Sequence, residues 1–136
     1  MKAWLVPSLA YIALLGALGV TTKLALRDVS WQVVILWTAL VYALIAAGML
    51  VLGQARFGLG PGHGWAIVSA VFASTALIAL YIALGSGEAG KIIPLTSAYP
   101  VVTLVLAALV LSERITLFRG FAALVVVAGV VMLSLG

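Results

Sequence analysis

The chain has no cysteine, which excludes a disulfide framework, a thiolate metal site and a cysteine nucleophile. Charge is almost as scarce. Asp, Glu, Lys and Arg make up 7% of the 136 residues, whereas soluble domains carry about 25%. The one histidine, His63, stands in a glycine-rich stretch far in sequence from every acid, so neither a metal-ligand cluster nor a Ser-His-Asp hydrolase can be assembled. The glycine-rich phosphate cradle of a nucleotide hydrolase is missing too. These absences argue against an enzyme, and no cofactor or metal is expected.

What remains is apolar: 66% of the residues are hydrophobic. Such a chain cannot cover itself with polar surface, so lipid is its expected solvent. A formal charge of +4 would suggest nucleic acid in a soluble protein. Here the seven Lys and Arg residues are spread along the chain and read as interfacial anchors, with no nucleic-acid partner expected.

About 20 apolar residues are needed to cross the hydrocarbon as a helix. Five stretches qualify, at about 4–26, 31–52, 65–84, 92–111 and 117–135. The breaks between them are Arg27-Asp28, the glycine-rich Gly53 to Gly64, "GSGEAGK" at Gly85 to Lys91, and Ser112-Glu113-Arg114. Trp4, Trp31 and Trp65 each open a span, where an amphipathic ring favours the headgroup layer. The fold class expected is therefore an all-α membrane protein of five transmembrane helices, with residues 1–136 as a single domain. The first run is longer than the core of a signal peptide.

Five spans place the termini on opposite sides. Lys2, Arg56, Arg114 and Arg119 then fall on the N-terminal side, and Lys23, Arg27 and Lys91 on the other. Lys and Arg set orientation, and four against three specifies it weakly. The expectation is a chain able to insert both ways and to pair with an inverted copy of itself, since transporters hold substrate between inverted repeats.

Intramembrane polar groups tend to face a cavity or another helix. Ser8, Tyr11 and Thr22 share a stripe of the first span. Thr38 and Tyr42 follow Trp31 and Ile35 on the second. Ser74 and Tyr81 share a face of the third, and Thr96, Tyr99, Pro100 and Thr103 one of the fourth, with Ser97 beside them. A cavity with aromatic walls and a few hydroxyls suits an amphipathic small molecule. The substrate-binding candidates are Tyr11, Thr38, Tyr42, Ser74, Tyr81, Thr96, Ser97, Tyr99 and Thr103. For each single Ser or Thr the competing reading is a bond back to its own helix. Lys23, Glu88 and Lys91 are candidates for the cavity mouth; solvated or interfacial anchors are the alternative. His63 reads as solvated, and Glu113-Arg114 as a turn ending one helix and capping the next. Gly120, Ala123, Ala128 and Gly129 would allow a close helix contact on the fifth span.

Two prolines open the fourth span. Pro94 in a first turn would remove no bond. Pro100 lies deeper and frees a carbonyl near Thr96, so the helix is expected to bend or open there, as backbone at membrane depth does where it lines a cavity.

The run "YIALGSGEAGKIIPLTSAYPVVT", the helix end Leu-Ser-Glu-Arg-Ile-Thr, Arg119-Gly120-Phe121 and "ALVVVAGVVML" together resemble the EamA domain. That domain is the repeat unit of the drug/metabolite transporter superfamily. "LGALGVTTKLAL" resembles its first helix, without the usual tryptophan before the glycine. The resemblance covers the whole chain and implies one five-span half of a ten-span transporter, its second half supplied by an inverted copy. It also implies export or exchange of metabolites or drugs by alternating access, in a bacterial or archaeal cytoplasmic membrane. A flippase for a lipid-linked compound, or a non-transporting assembly subunit, are the competing functions. The small multidrug exporters of the superfamily carry a glutamate in the first helix; here Asp28, Glu88 and Glu113 all lie at span ends.

Overall fold

The computed structural model describes residues 4–55 and 60–135. Lys2 and Arg56, two of the four cations assigned to the N-terminal side, lie outside these. Every regular element described is helical: α1 (Leu5–Ala25), α2 (Trp31–Val51), α3 (Pro61–Ser86), α4 (Ala89–Thr96), α5 (Tyr99–Val110) and α6 (Leu117–Leu135). The chain is an all-α membrane protein. Four segments are long and apolar enough to cross a bilayer: α1, α2, α3 and the α4–α5 pair taken together. The fifth expected span, α6, is apolar but shorter, with 19 residues, about 28 Å at 1.5 Å per residue.

Local chemistry explains the ends. Gly53 has φ 67°, and the Gln54 amide reaches back to the Met49 carbonyl at 2.9 Å while that of Gly53 bonds Leu50 at 3.1 Å. This left-handed glycine closure ends α2. The loop expected to run to Gly64 is shorter, because α3 starts at Pro61 rather than Trp65. Proline suits the first helical position, whose amide has no intrahelical acceptor. His63 completes the start: its Nδ1 accepts the Gly60 N–H at 2.9 Å, and its own amide bonds the Gly60 carbonyl at 3.0 Å. His63 is exposed, but it caps a helix rather than standing alone.

The fourth span is two helices. Glu88 precedes α4, and Pro94 lies inside it as its sixth residue, not in its first turn. Starting at Ala89 rather than Ile92 moves the tolerated position away from Pro94. Pro100 instead occupies the first turn of α5. The break falls between them, at Ser97 and Ala98, where the amides fold back in three-residue steps.

The turn after α5 also departs from expectation. Ser112 takes the left-handed conformation, φ 54°, and the Glu113 amide bonds the Ala107 carbonyl at 3.2 Å. Thr116, not Glu113 or Arg114, caps α6: its Oγ1 accepts the Arg119 N–H at 3.3 Å.

Two compact units emerge, one of residues 1–20 with 87–136 and one of residues 21–86. In the first, α6 packs mainly on α4 and touches α5. In the second, α2 packs on α3. The close helix approach in the first unit is made by Gly19 of α1 against Ile93 of α4. Of the small residues of α6, Gly129 is not part of such an approach, since a Cβ added there would meet nothing within 4 Å; Gly120 and Ala123 lie on its half-buried side.

Candidate functional site

In the unit of residues 21–86, the polar groups gather where α2 begins and α3 ends. The Trp31–Ile35–Thr38 stripe is half-buried, and on the facing helix Tyr81 is only 2% exposed. The Thr38 and Tyr81 hydroxyls lie 3.3 Å apart. Thr38 has one proton, and its Oγ1 donates to the Val34 carbonyl at 2.9 Å. Tyr81 must therefore be the donor in the pair, which leaves its own oxygen free to accept. One turn further along α3, Lys23 Nζ donates to the Leu84 carbonyl at 2.7 Å, beside the buried Thr22. Leu84 is among the last four residues of α3, whose carbonyls have no intrahelical donor. A cation there also complements the negative end of the helix dipole. The structure thus directs this mouth candidate onto a helix terminus.

Tyr42, one turn beyond Thr38 on the same face, is 61% exposed. Ser74 is exposed and donates to the Ala70 carbonyl at 2.8 Å.

In the other unit the structure makes Tyr11 and Tyr99 neighbours. Both rings are 53% exposed. Around the α4–α5 break, Thr96 Oγ1 and Ser97 Oγ both donate to the Ile93 carbonyl, at 3.0 and 2.8 Å. Thr103 Oγ1 donates to the Tyr99 carbonyl at 3.2 Å. The two remaining mouth candidates pair weakly with each other at the start of α4: Lys91 Nζ lies 3.9 Å from Glu88 Oε2, both exposed. Such an exposed pair contributes about 0–1 kcal/mol.

Side-chain type in the sequence brought out the hydroxyls but not their acceptors. It missed Gly19, whose signal is a helical glycine opposite a β-branched residue, and the Leu84 carbonyl, which no side chain announces. Among the described residues no group of three or more His, Cys, Asp or Glu could hold a metal.

A family model described as the EamA-like transporter family matches residues 3–135. This chain belongs to that family. A protein of Methanocaldococcus jannaschii, described only as uncharacterized, is 35% identical to it over 71 residues. That match spans 52% of this chain and 52% of the archaeal protein, about half of each. No solved structure matches. Membership of the EamA-like family makes the chain an integral membrane protein of a transporter family.

Proposed function

We propose that this EamA-like chain is a secondary transporter that works by alternating access in an antiparallel homodimer, exporting or exchanging small amphipathic metabolites or drugs. The observation that carries the reading is the fourth span, divided at Ser97 and Ala98 into two half-helices with hydroxyls and tyrosines at the division. Irregular backbone at membrane depth is tolerated where it is buried in protein or lines a cavity. Broken helices of this kind build the midplane sites of transporters. Residues 1–136 act as one repeat, with Tyr11, Thr38, Tyr42, Ser74, Tyr81, Thr96, Ser97, Tyr99 and Thr103 contributing to the path.

Two features support the inverted pairing. The cations divide four to three between the two sides, so orientation is nearly unbiased. Tyr11, Tyr42 and Tyr99 turn half or more of their surface outward, and phenols in hydrocarbon need partners that a second copy supplies. The lipid bilayer and a small-molecule substrate are the other partners, and the cytoplasmic membrane is the expected location.

Fusing the C-terminus to a reporter active only in the cytoplasm, and separately to one active only outside it, tests the pairing. Comparable signal from both is expected. Signal from one side alone, in a chain that still transports, removes the antiparallel homodimer.

A further inference from the structure

α2 buries none of its residues within the chain. One side of it is taken: the stripe through Trp31, Ile35 and Thr38 is half-buried, and Thr38 meets Tyr81 of α3. Ala47 stands about two and a half turns beyond Thr38, hence on the opposite side. Leu36, Leu40 and Ala43 share that side with it, at steps of four, three and four residues, and all of these are exposed. This is the spacing of the seam by which two helices pack. Apolar surface alone would call for no partner here, because lipid tails are as apolar as leucine. What sets this face apart is its shape.

Turned end for end about the point between Val41 and Tyr42, the seam falls on itself with the residue sizes exchanged. Leu36 comes level with Ala47, and Leu40 with Ala43. At the rim, Leu44 comes level with Ala39. Each layer of an antiparallel α2 pair would thus hold one leucine and one alanine, the large side chain filling the space that the small one leaves. A parallel pair would instead set each residue against its own copy, leucine on leucine and alanine on alanine. The ends of the helix fix the same centre independently. The two-fold axis of an inverted pair lies in the membrane plane, so only residues at mid-depth come level with their own copies. The middle residue of α2 is Val41, between a start at Trp31 and an end at Val51. The centre of the size pattern lies half a residue away, about 0.8 Å along the axis.

We propose that α2 pairs with α2 of an inverted second copy through Leu36, Leu40, Ala43 and Ala47, the alanines bringing the two backbones close. The inference rests on the antiparallel homodimer proposed above and assigns its interface.

Disulfide cross-linking of the full chain in native membranes tests it, since the chain has no cysteine of its own. A disulfide needs Cα atoms about 4.4–6.8 Å apart. In the inverted pair, Leu40→Cys and Ala43→Cys each lie about 4.5 Å along the axis from their own copies, and each should link to itself. Leu36→Cys and Ala47→Cys lie about 16 Å from theirs; neither should link to itself, but the two variants co-expressed should link to each other. Val41→Cys is nearer in depth to its copy than any of these, yet off the seam, and should not link. Ala43→Leu sets leucine against leucine and should slow the link between Leu36→Cys and Ala47→Cys about 5-fold or more. Adding Leu40→Ala exchanges the layer and should restore the rate. Self-linking at Leu36 and Ala47 as fast as at Leu40 and Ala43 means parallel neighbours and overturns both the interface and the antiparallel pairing. Absence of links at Leu40 and Ala43, in a chain whose C-terminal reporters signal from both sides, overturns the interface and leaves the pairing. A rate unmoved by Ala43→Leu also overturns the interface.

Discussion

Adding one methyl group to α1 tests the packing around the fourth span most sharply. A Cβ at Gly19 would stand 2.7 Å from Ile93 Cγ1 and 2.8 Å from Cδ1. Unbonded carbons rest at about 3.5–4.0 Å, so Gly19→Ala drives the methyl about 1 Å into the isoleucine. Ile93 cannot readily swing aside, because a β-branched residue in a helix has one strongly favoured χ1. Overpacking of this kind costs about 1–3 kcal/mol. Against it stands the gain of replacing a helical glycine by alanine, about 0.8–1.0 kcal/mol. The net effect in the native background is a loss of about 0–2 kcal/mol. In an Ile93→Ala background the nearest atom left is Cβ, at 3.9 Å, an ordinary contact. There the same substitution should stabilise by about 1 kcal/mol.

The sign therefore reverses with the partner, and the coupling energy of the double-mutant cycle equals the overlap, about 1–3 kcal/mol. Denaturation of the four proteins by sodium dodecyl sulfate from mixed micelles, followed by intrinsic tryptophan fluorescence, reads all corners of the cycle. A Gly19→Ala gain of the same size in both backgrounds would refute the contact, and with it the reason why α1 and α4 approach so closely.

Other perturbations are read in the same assay. Lys23→Met strips the Leu84 carbonyl of its 2.7 Å donor and should cost about 1–3 kcal/mol; a loss within error of zero would return Lys23 to the role of a mobile anchor. Tyr81→Phe removes the donor to Thr38 from a ring that is 2% exposed and should cost about 1 kcal/mol, with no such loss for the exposed Tyr42→Phe. Ser112→Gly should stabilise by about 0.5–1 kcal/mol, because the left-handed φ of 54° costs a side-chain-bearing residue about 1–2 kcal/mol and glycine's own entropy takes back part of the gain. A destabilised glycine variant would show that Ser112 holds its turn by its side chain.

The apolar runs were legible because their cause is solvent. Lipid demands about 20 residues of hydrocarbon per crossing, and the sequence separates five such runs by glycine, proline and charge. The ends were less legible, since each is decided by which group satisfies an orphan amide or carbonyl. His63 and Thr116 do so at helix starts where residue type alone suggested a solvated loop and an acid–base turn. The hydroxyl stripes were visible by spacing. Their protons were not, and here those of Thr96, Ser97, Thr103 and Ser74 turn inward onto their own helices.

The two prolines show how one hidden fact redistributes chemistry. Everything turned on where α4 begins. A start at Ile92 would make Pro94 harmless and leave Pro100 to kink a continuing helix. A start at Ala89 puts Pro94 in the helix body, with Gly90 four residues back. Glycine has no Cβ to add to the crowding there. The chain then ends α4 early and uses Pro100 as an initiator. A proline that would have been a defect becomes a helix start. The consequence reaches function, because a kinked helix and a helix–break–helix offer different groups to a ligand. The second turns the Val101 amide onto the Ala98 carbonyl at 3.0 Å, a bond that a continuous α-helix would not make.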